Sequence, residues 1–381
     1  MDGNDLLETM SGMTEFESVG DAPHDERPAP QRGVPVHLHD CITNVTAGSR
    51  KMPVLKTLLT TACERNCFYC PFRAGRSSMK RVTLTPDDMA QAFMSLYRAG
   101  AVEGMFLSSG IIRGGMTTQD KILDTGTILR EKYGYRGYLH LKIMPGAERD
   151  QLIRAMQLAD RVSINLEAPN AGRLEAIAPG KRFDEELLTR LEWAEELRRQ
   201  SGGELRASTT TEFVVGPAGE SDVEILSTTE YLHRRAGLAR AYFSRFRPVT
   251  ETPFDNYQPT HELRQLRLYQ ASFLLRDYDF SVEELPFAGK GDLPLDVDPK
   301  LAWADDNLRQ RPVELNTASQ QELMRIPGIG AKGAGRIIRA RRQGRLHDLA
   351  DLRALGIARV ERAAPYVLLD GKRPIQQPRL F

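Results

Sequence analysis

From about residue 51 the chain alternates short apolar runs with longer amphipathic ones. Period-two or continuous apolar runs predict strands at 54–60 (VLKTLLT), 104–109 (GMFLSS), 137–143 (GYLHLKI), 161–167 (RVSINLE), 207–215 (ASTTTEFVV) and 239–246 (ARAYFSRF). Helical periodicity fills the intervals at 85–100, 118–133, 148–158, 184–201 and 221–236. A serial strand–helix alternation implies a parallel sheet with helices outside it. The expected fold class is therefore α/β, a full or partial (β/α) barrel, with ligands at the C-terminal ends of the strands.

The rest of the chain reads differently. Residues 1–40 are polar, acidic and Pro/Gly-rich, and read as a mobile extension. The barrel is expected over 41–250. A helix at 260–276 and Pro-rich connections occupy 251–305. A small all-α module fills 306–370, and 371–381 form a tail.

Charge sharpens this division. The formal net charge is only +1, yet residues 1–40 carry roughly −7 and residues 307–381 roughly +9. A basic end on a near-neutral chain suits a polyanionic partner, although scattered surface Arg gives the same sum. No run reaches the roughly 18 apolar residues of a membrane span, and the acidic start lacks the pattern of a signal peptide. A cytoplasmic protein without membrane contact is expected.

Three of the four cysteines fall within eight residues, in TTACERNCFYCPF. Cys63, Cys67 and Cys70 form C-x3-C-x2-C directly after the first barrel strand, on a loop where such folds keep their chemistry. Thiolates ligate iron–sulfur clusters and zinc. Three of them leave one iron of a four-iron cluster open, whereas a structural zinc wants a fourth ligand that this loop lacks. Cys41 stands apart and reads as a small buried residue.

The spacing, with Phe68 and Tyr69 before the third cysteine, resembles the signature of the radical S-adenosylmethionine (SAM) superfamily over roughly residues 50–250. The resemblance implies a [4Fe–4S] cluster held by Cys63, Cys67 and Cys70, with SAM on the open iron. Reductive cleavage of SAM to a 5′-deoxyadenosyl radical then makes these cysteines the catalytic centre. It also implies an electron donor of flavodoxin or ferredoxin type. Tyr69 would lie beside the cofactor. Ser108, Ser109 and Gly110 stand where the family has a Gly-Gly-Glu motif that holds the SAM amino group. No Glu is present here, and hydroxyls or carbonyls are left to accept those bonds; an ordinary turn is the alternative.

Lys142 interrupts an apolar strand, and Asn165 and Glu167 share one face if period two holds. Buried charge must be paired. Lys142 is thus expected to pair with Glu167, or both to meet the SAM carboxylate and ribose; a structural ion pair is the other option. Glu212 and Arg245 raise the same question. The Gly216–Gly219 turn opens a helix and allows a close backbone approach.

Residues 314–342 (ELNTASQQELMRIPGIGAKGAGRIIRARR) place a capping box, Ser319-x-x-Glu322, before an apolar stripe and a Pro-Gly-Ile-Gly turn. Gly328, Ile329 and Gly330 form a hairpin followed by free helix N–H groups, with Lys332, Arg336 and Arg339 around it. This resembles the helix-hairpin-helix family, and a second copy follows at Leu355-Gly356-Ile357. The resemblance implies binding to the phosphate backbone of nucleic acid, DNA first, with little sequence preference. The last residues, Gln377 to Phe381, resemble a sliding-clamp-binding peptide, with Pro378 in place of the usual Leu.

Taken together, LLTTACERNCFYC, EGMFLSSGI, GYLHLKIMPGA, ADRVSINLEAP and AYFSRFRPV, ahead of the hairpin module, are similar to radical SAM proteins of DNA modification or repair associated with uracil-DNA glycosylase-like proteins. That likeness implies a radical SAM enzyme acting on DNA, and a uracil-DNA glycosylase-like partner. An RNA-modifying enzyme is a second reading. A DNA-bound iron–sulfur redox sensor or repair scaffold is a third.

Overall fold

The computed structural model describes residues 41–47, 50–76, 78–205 and 207–374. The acidic extension and the Gln377–Phe381 peptide lie outside the described residues. The chain divides into two compact units, residues 1–220 with 231–265, and residues 221–230 with 266–381. No helix among the described residues is long and apolar enough to cross a membrane.

The first unit is built on a seven-stranded sheet, curled into a half-barrel. Its strands are β1 (Ile42–Ala47), β2 (Arg50–Leu58), β3 (Gly104–Ser108), β4 (Tyr138–Lys142), β5 (Arg161–Ser163), β6 (Ser208–Val215) and β7 (Arg240–Arg245). They lie in sequence order, β2 to β7 all parallel, and only β1 runs antiparallel, on β2. The expected partial barrel is therefore the form adopted. β1 was not anticipated: ITNVTA carries too few apolar positions to read as a strand, yet it caps the edge and packs Val45 with Val54 and Phe106.

Helices α1 (Pro86–Arg98), α2 (Gly115–Thr127), α3 (Arg149–Leu158), α4 (Ala171–Ile177), α5 (Thr189–Gln200) and α6 (Asp222–Arg235) fill the crossovers. Their starts obey local rules. Thr85 accepts from the Asp88 N–H with Pro86 in the first turn, and Glu148 with Gln151 forms a reciprocal capping box. Single π-type turns continue α2 over Ile128–Lys132 and precede α5 over Phe183–Leu188, which accounts for the longer helices predicted there.

β5 is shorter than its apolar run. Beyond Ser163, the Thr211 hydroxyl donates to the Ile164 carbonyl (2.7 Å) and accepts from the Leu166 N–H (3.2 Å), taking over one rung of the ladder. Glu167 then turns into the left-handed region at φ +65°. These two deviations end the period-two alternation on which the Asn165–Glu167 reading relied.

The second unit carries α7 (Glu262–Asp277) from Leu266 onward, then α8 (Pro299–Asn307), capped by Asp298. Four short helices follow: α9 (Gln320–Arg325), α10 (Ala331–Ala340), α11 (Leu349–Ala354) and α12 (Val360–Ala363). A two-residue parallel pair, β8 (Val313–Glu314) with β9 (Val367–Leu368), closes the module's ends together. The core includes Leu315, Leu323, Ile326, Ile337, Leu352 and Val360.

Candidate active site

The cysteine loop leaves the C-terminal end of β2 and is held by bonds from every side. Arg81 donates to the carbonyls of Thr61 (2.6 Å), Phe72 (2.9 Å) and Arg73 (2.8 Å). The Phe68 N–H donates to Ile177 O (2.8 Å), and Arg65 binds the Gly180 carbonyl and Glu186 (2.8 Å). At the next strand end, Gly110 donates to Thr60 O (2.8 Å). Any Cβ at 110 would collide with the Ala62 carbonyl, so this glycine is required by the close approach of two backbones.

The sulfurs accept backbone N–H groups. Cys63 Sγ receives the amides of Arg65 and Ile111, and Cys70 Sγ that of Phe72, each at 3.4 Å. Cys67 is buried. Burial pushes the Cys67 thiol up despite the Lys181 charge nearby, and pushes Cys70 up further, aided by Cys67 and Cys63. Raised in this way, the Cys67 and Cys70 thiols stay protonated at neutral pH unless a metal binds them.

Lys181 is the positive charge of this region. Its Nζ stands 2.8 Å from Glu167 Oε1 and 3.4 Å from the Tyr69 hydroxyl, all three side chains being buried or nearly so. Burial works against the Glu167 charge, but Lys181 and Lys142 outweigh it and hold the carboxyl below its ordinary range. Burial, with Glu167 next, drives the Tyr69 phenol well above its ordinary value. Sequence reading missed Lys181; its signal was a basic residue straight after the Ala178-Pro179-Gly180 helix stop.

A second network crosses the strand ends. Lys142 Nζ donates to Asn165 Oδ1 (2.7 Å), Asn165 Nδ2 donates to Glu212 Oε2 (3.0 Å), and the Ser244 hydroxyl donates to Glu212. Lys142 also lies 4.0 Å from Glu212. The expected Lys142–Glu167 pair is thus replaced by two separate pairs, Lys142 with Asn165 and Glu212, and Glu167 with Lys181. The turn at Glu167 is the cause, since it carries that carboxylate away from Asn165. Arg245 pairs with Glu262 (2.6 Å).

Both faces of β4 are legible. Leu139 and Leu141 meet Gly126 of α2, so His140 and Lys142 point to the concave side. By register Lys142 neighbours Ser163, and Ser163 neighbours Thr210. Both ring nitrogens of His140 and the hydroxyls of Ser163 and Thr210 are buried without hydrogen-bond partners. Burial, then Arg161 and Lys142, push His140 well below its usual value, so it is neutral. Orphaned polar groups on a concave face leave hydrogen-bonding capacity for water or a ligand.

Ser108 is buried, its carbonyl accepting from Leu59 N–H (2.9 Å), and the Ser109 hydroxyl donates to the Gly110 carbonyl (2.7 Å). These residues abut the cysteine loop through Gly110. The Gly216 turn is closed by Glu220 and by Thr260, whose hydroxyl donates to Val215 O (2.6 Å). Cys41 is fully buried.

In the second unit the capping box forms as predicted, Ser319 Oγ accepting from Glu322 N (3.2 Å) and Glu322 from Ser319 N (2.7 Å). Gly328 takes φ +83°, where a Cβ would stand 3.0 Å from the Arg359 carbonyl. Ile329 is buried beneath the hairpin. Gly330 is extended; what it spares is contact with the Tyr278 hydroxyl. Lys300 Nζ supports the turn from below, donating to Ile329 O (2.7 Å) over the Tyr278 ring (4.6 Å). The second hairpin exists, with Gly356 at φ +74°. Lys332 and Arg339 are exposed, whereas Arg336 is occupied in part, donating to Leu355 O and Gly356 O (3.1 Å each).

Residues 57–232 match the family model described as Radical SAM superfamily. The matched segment holds the cysteine loop and strands β3 to β6. Residues 309–368 match the Helix-hairpin-helix motif. No curated protein matches the chain. Among solved structures, the chain is similar to the FeFe-hydrogenase maturase HydG from Carboxydothermus hydrogenoformans, at 16% identity and TM-score 0.46 over 57% of this chain and 50% of that one. Methylornithine synthase (PylB) aligns at 15% identity and TM-score 0.46, over 57% and 61%. The methyltransferase TsrM from Kitasatospora setae aligns at 14% and 0.39, over 52% and 38%. The matched stretch thus spans about half of the maturase.

Radical SAM proteins use a [4Fe–4S] cluster and SAM. The cysteine loop fits such a cluster. Among the described residues no three His, Cys, Asp or Glu side chains converge as a single ion requires. Backbone N–H groups directed at the Cys63 and Cys70 sulfurs, and the buried Lys181 ammonium near Cys67, suit an anionic cluster. Cys63, Cys67 and Cys70 are the residues that would hold it.

Proposed function

We propose that the protein is a radical SAM enzyme acting on DNA, which it holds through its helix-hairpin-helix module. The observation that carries this reading is the union, in one chain, of a three-cysteine loop at the ends of parallel strands and a hairpin built for phosphate. The sequence likeness to radical SAM proteins of DNA modification or repair supports DNA over RNA.

When bound, the cluster and SAM supply a 5′-deoxyadenosyl radical that abstracts a hydrogen atom from substrate. The chain's own residues set the conditions. Cys63, Cys67 and Cys70 would hold the cluster through their thiolates. Ser109 and Gly110, at the strand end next to the cysteine loop, would meet the SAM amino group. Tyr69, Glu167 and Lys181 form a closed, charge-balanced wall next to the cysteines. Lys142, Asn165, Glu212 and Ser244 fix one another across four strand ends and so present a rigid polar floor. Neutral His140, Ser163 and Thr210 add unused hydrogen-bonding groups on the concave face.

The hairpin contributes grip without base reading: the Ile329 N–H is spent inside the turn on Ile326 O (3.1 Å), and the free N–H groups that open α10, with the charges of Lys332 and Arg339, meet phosphates. A base reaches a half-barrel interior only when unstacked or in a single strand. A reductant of flavodoxin or ferredoxin type is the expected electron source. The test is anaerobic reconstitution with iron and sulfide, then SAM and dithionite, with 5′-deoxyadenosine measured alone and with single-stranded DNA, duplex DNA or RNA. Stimulation by DNA above RNA supports the reading. Stimulation by RNA alone transfers it to RNA, and an intact cluster that never yields 5′-deoxyadenosine favours the sensor or scaffold.

A further inference from the structure

An aromatic ladder runs from the surface of the first unit to the cysteine loop. Phe68, the residue after Cys67, meets Phe254 edge-on at 5.5 Å. Phe254 stacks on Tyr257 at 4.3 Å and 28°. Phe246 closes the group edge-on, 5.9 Å from Phe254 and 6.4 Å from Tyr257. Phe246 and Phe254 are buried, but Tyr257 is 48% exposed.

The ladder is held rigidly. The Thr252 hydroxyl donates to Val249 O (2.7 Å) and accepts from Phe254 N (3.3 Å), and Tyr257 N donates to Phe254 O (3.1 Å). One face of the Tyr257 ring is committed to Phe254 while the ring remains half in solvent. An aromatic fixed in this way loses little entropy on taking a second planar partner.

Charge identifies that partner. Segments 73–81 and 245–257, which carry or flank the ladder, hold six basic residues and two acidic ones; with Arg81 committed to loop carbonyls and Arg245 to Glu262, the remaining cations are Arg73, Arg76, Lys80 and Arg247. One of the acids, Glu251, is engaged by Ser78 (2.9 Å) and Arg76 (4.0 Å). Arg73 lies 5.8 Å over the Phe68 ring, and Lys80 and Arg247 are exposed. A preset aromatic face within a basic surround is the combination that binds unpaired nucleotides: bases stack on the ring and phosphates meet the cations.

We propose that Tyr257, backed by Phe254, is a stacking platform for an unpaired nucleobase of the nucleic-acid substrate, beside the cysteine loop. The proposal deepens the function given above and rests on it. It names the substrate as a single-stranded or extruded nucleotide.

The test uses the full-length, cluster-loaded protein and a single-stranded oligodeoxynucleotide carrying one 2-aminopurine, whose fluorescence is quenched by stacking. Anisotropy of an end label reports total binding. Tyr257→Ala is expected to relieve the quenching and weaken binding roughly 5- to 100-fold, whereas Tyr257→Phe keeps both near wild type. Binding that persists with quenching unchanged in Tyr257→Ala overturns the platform and leaves the DNA reading standing. No binding of the oligonucleotide or of duplex DNA by the wild-type protein overturns both. A self-associated protein that Tyr257→Ala dissociates, without change in DNA binding, assigns the ring to a second copy of the chain and overturns the proposal.

Discussion

Lys181 and Glu167 lie 14 positions apart and meet as a buried ion pair at 2.8 Å, against Tyr69 of the cysteine loop. Neither element alone would place them: Glu167 arrives through a left-handed turn after β5, and Lys181 follows the end of α4. Breaking a buried pair leaves an uncompensated charge and costs about 3–5 kcal/mol. Lys181→Met is expected to destabilise the protein by that order in urea melts. Adding Glu167→Gln restores part of the loss, because the two residues share one interaction. Equal, additive losses would dissolve the pair's assigned role.

Arg336, Lys332 and Arg339 belong to one helix and separate by experiment. Lys332→Ala and Arg339→Ala remove exposed charges, so each lowers DNA affinity and reduces the salt slope by about 1 while leaving the melting temperature unchanged. Arg336→Ala also strips two carbonyls of the second hairpin of their donor and lowers thermal stability. Salt titrations of binding with parallel melts make the comparison; an Arg336 variant as stable as the other two contradicts it.

Gly328 and Gly330 look alike in sequence and differ in structure. At φ +83°, with the Arg359 carbonyl 3.0 Å from a built Cβ, Gly328→Ala strains the turn by about 1–2 kcal/mol or more. Gly330→Ala meets only the Tyr278 hydroxyl, and Tyr278→Phe is expected to relieve it. Denaturant midpoints of the single and double variants distinguish the two. Equal losses at both glycines would count against this geometry.

Lys300 gives the module a pH dependence. Burial, only partly opposed by Asp298, pushes its ammonium down to about 7. An unfolded lysine titrates near 10.4. Between these values the unfolded chain holds a proton that the folded one lacks, so stability rises with pH across that window. Trp303 fluorescence in a Trp193→Phe background follows this unit. Its unfolding midpoint is expected to rise from pH 7 to pH 9.5, and Lys300→Met to flatten the rise. An unchanged slope in that variant would remove Lys300 as the source.

The parallel strands, the helices between them and the cysteine loop were legible because apolar period and thiol spacing are local properties. Helix caps at Ser319 and Glu322 were equally plain. What escaped was set by tertiary neighbours. β1 gains its place from the edge of β2. α4 and α8 are short, and periodicity needs more turns to declare itself. The Lys142–Glu167 pairing failed because Thr211, from the next strand, substitutes its hydroxyl for a backbone rung and alternation then ends at Glu167. Lys181 was visible only as a lysine after a Pro-Gly stop. The aromatic ladder joins Phe68 to residues 246–257, a separation no local pattern reports.

The central claim is that the radical generated at the cysteine loop takes its hydrogen atom from DNA. Uniformly deuterated single-stranded and duplex DNA, incubated anaerobically with the reconstituted protein, SAM and dithionite, tests it in one mass spectrum. Deuterium in the 5′-deoxyadenosine, lost in Cys67→Ala together with the product itself, is the predicted result. 5′-Deoxyadenosine that forms at the same rate with and without DNA, and carries no deuterium, would contradict it.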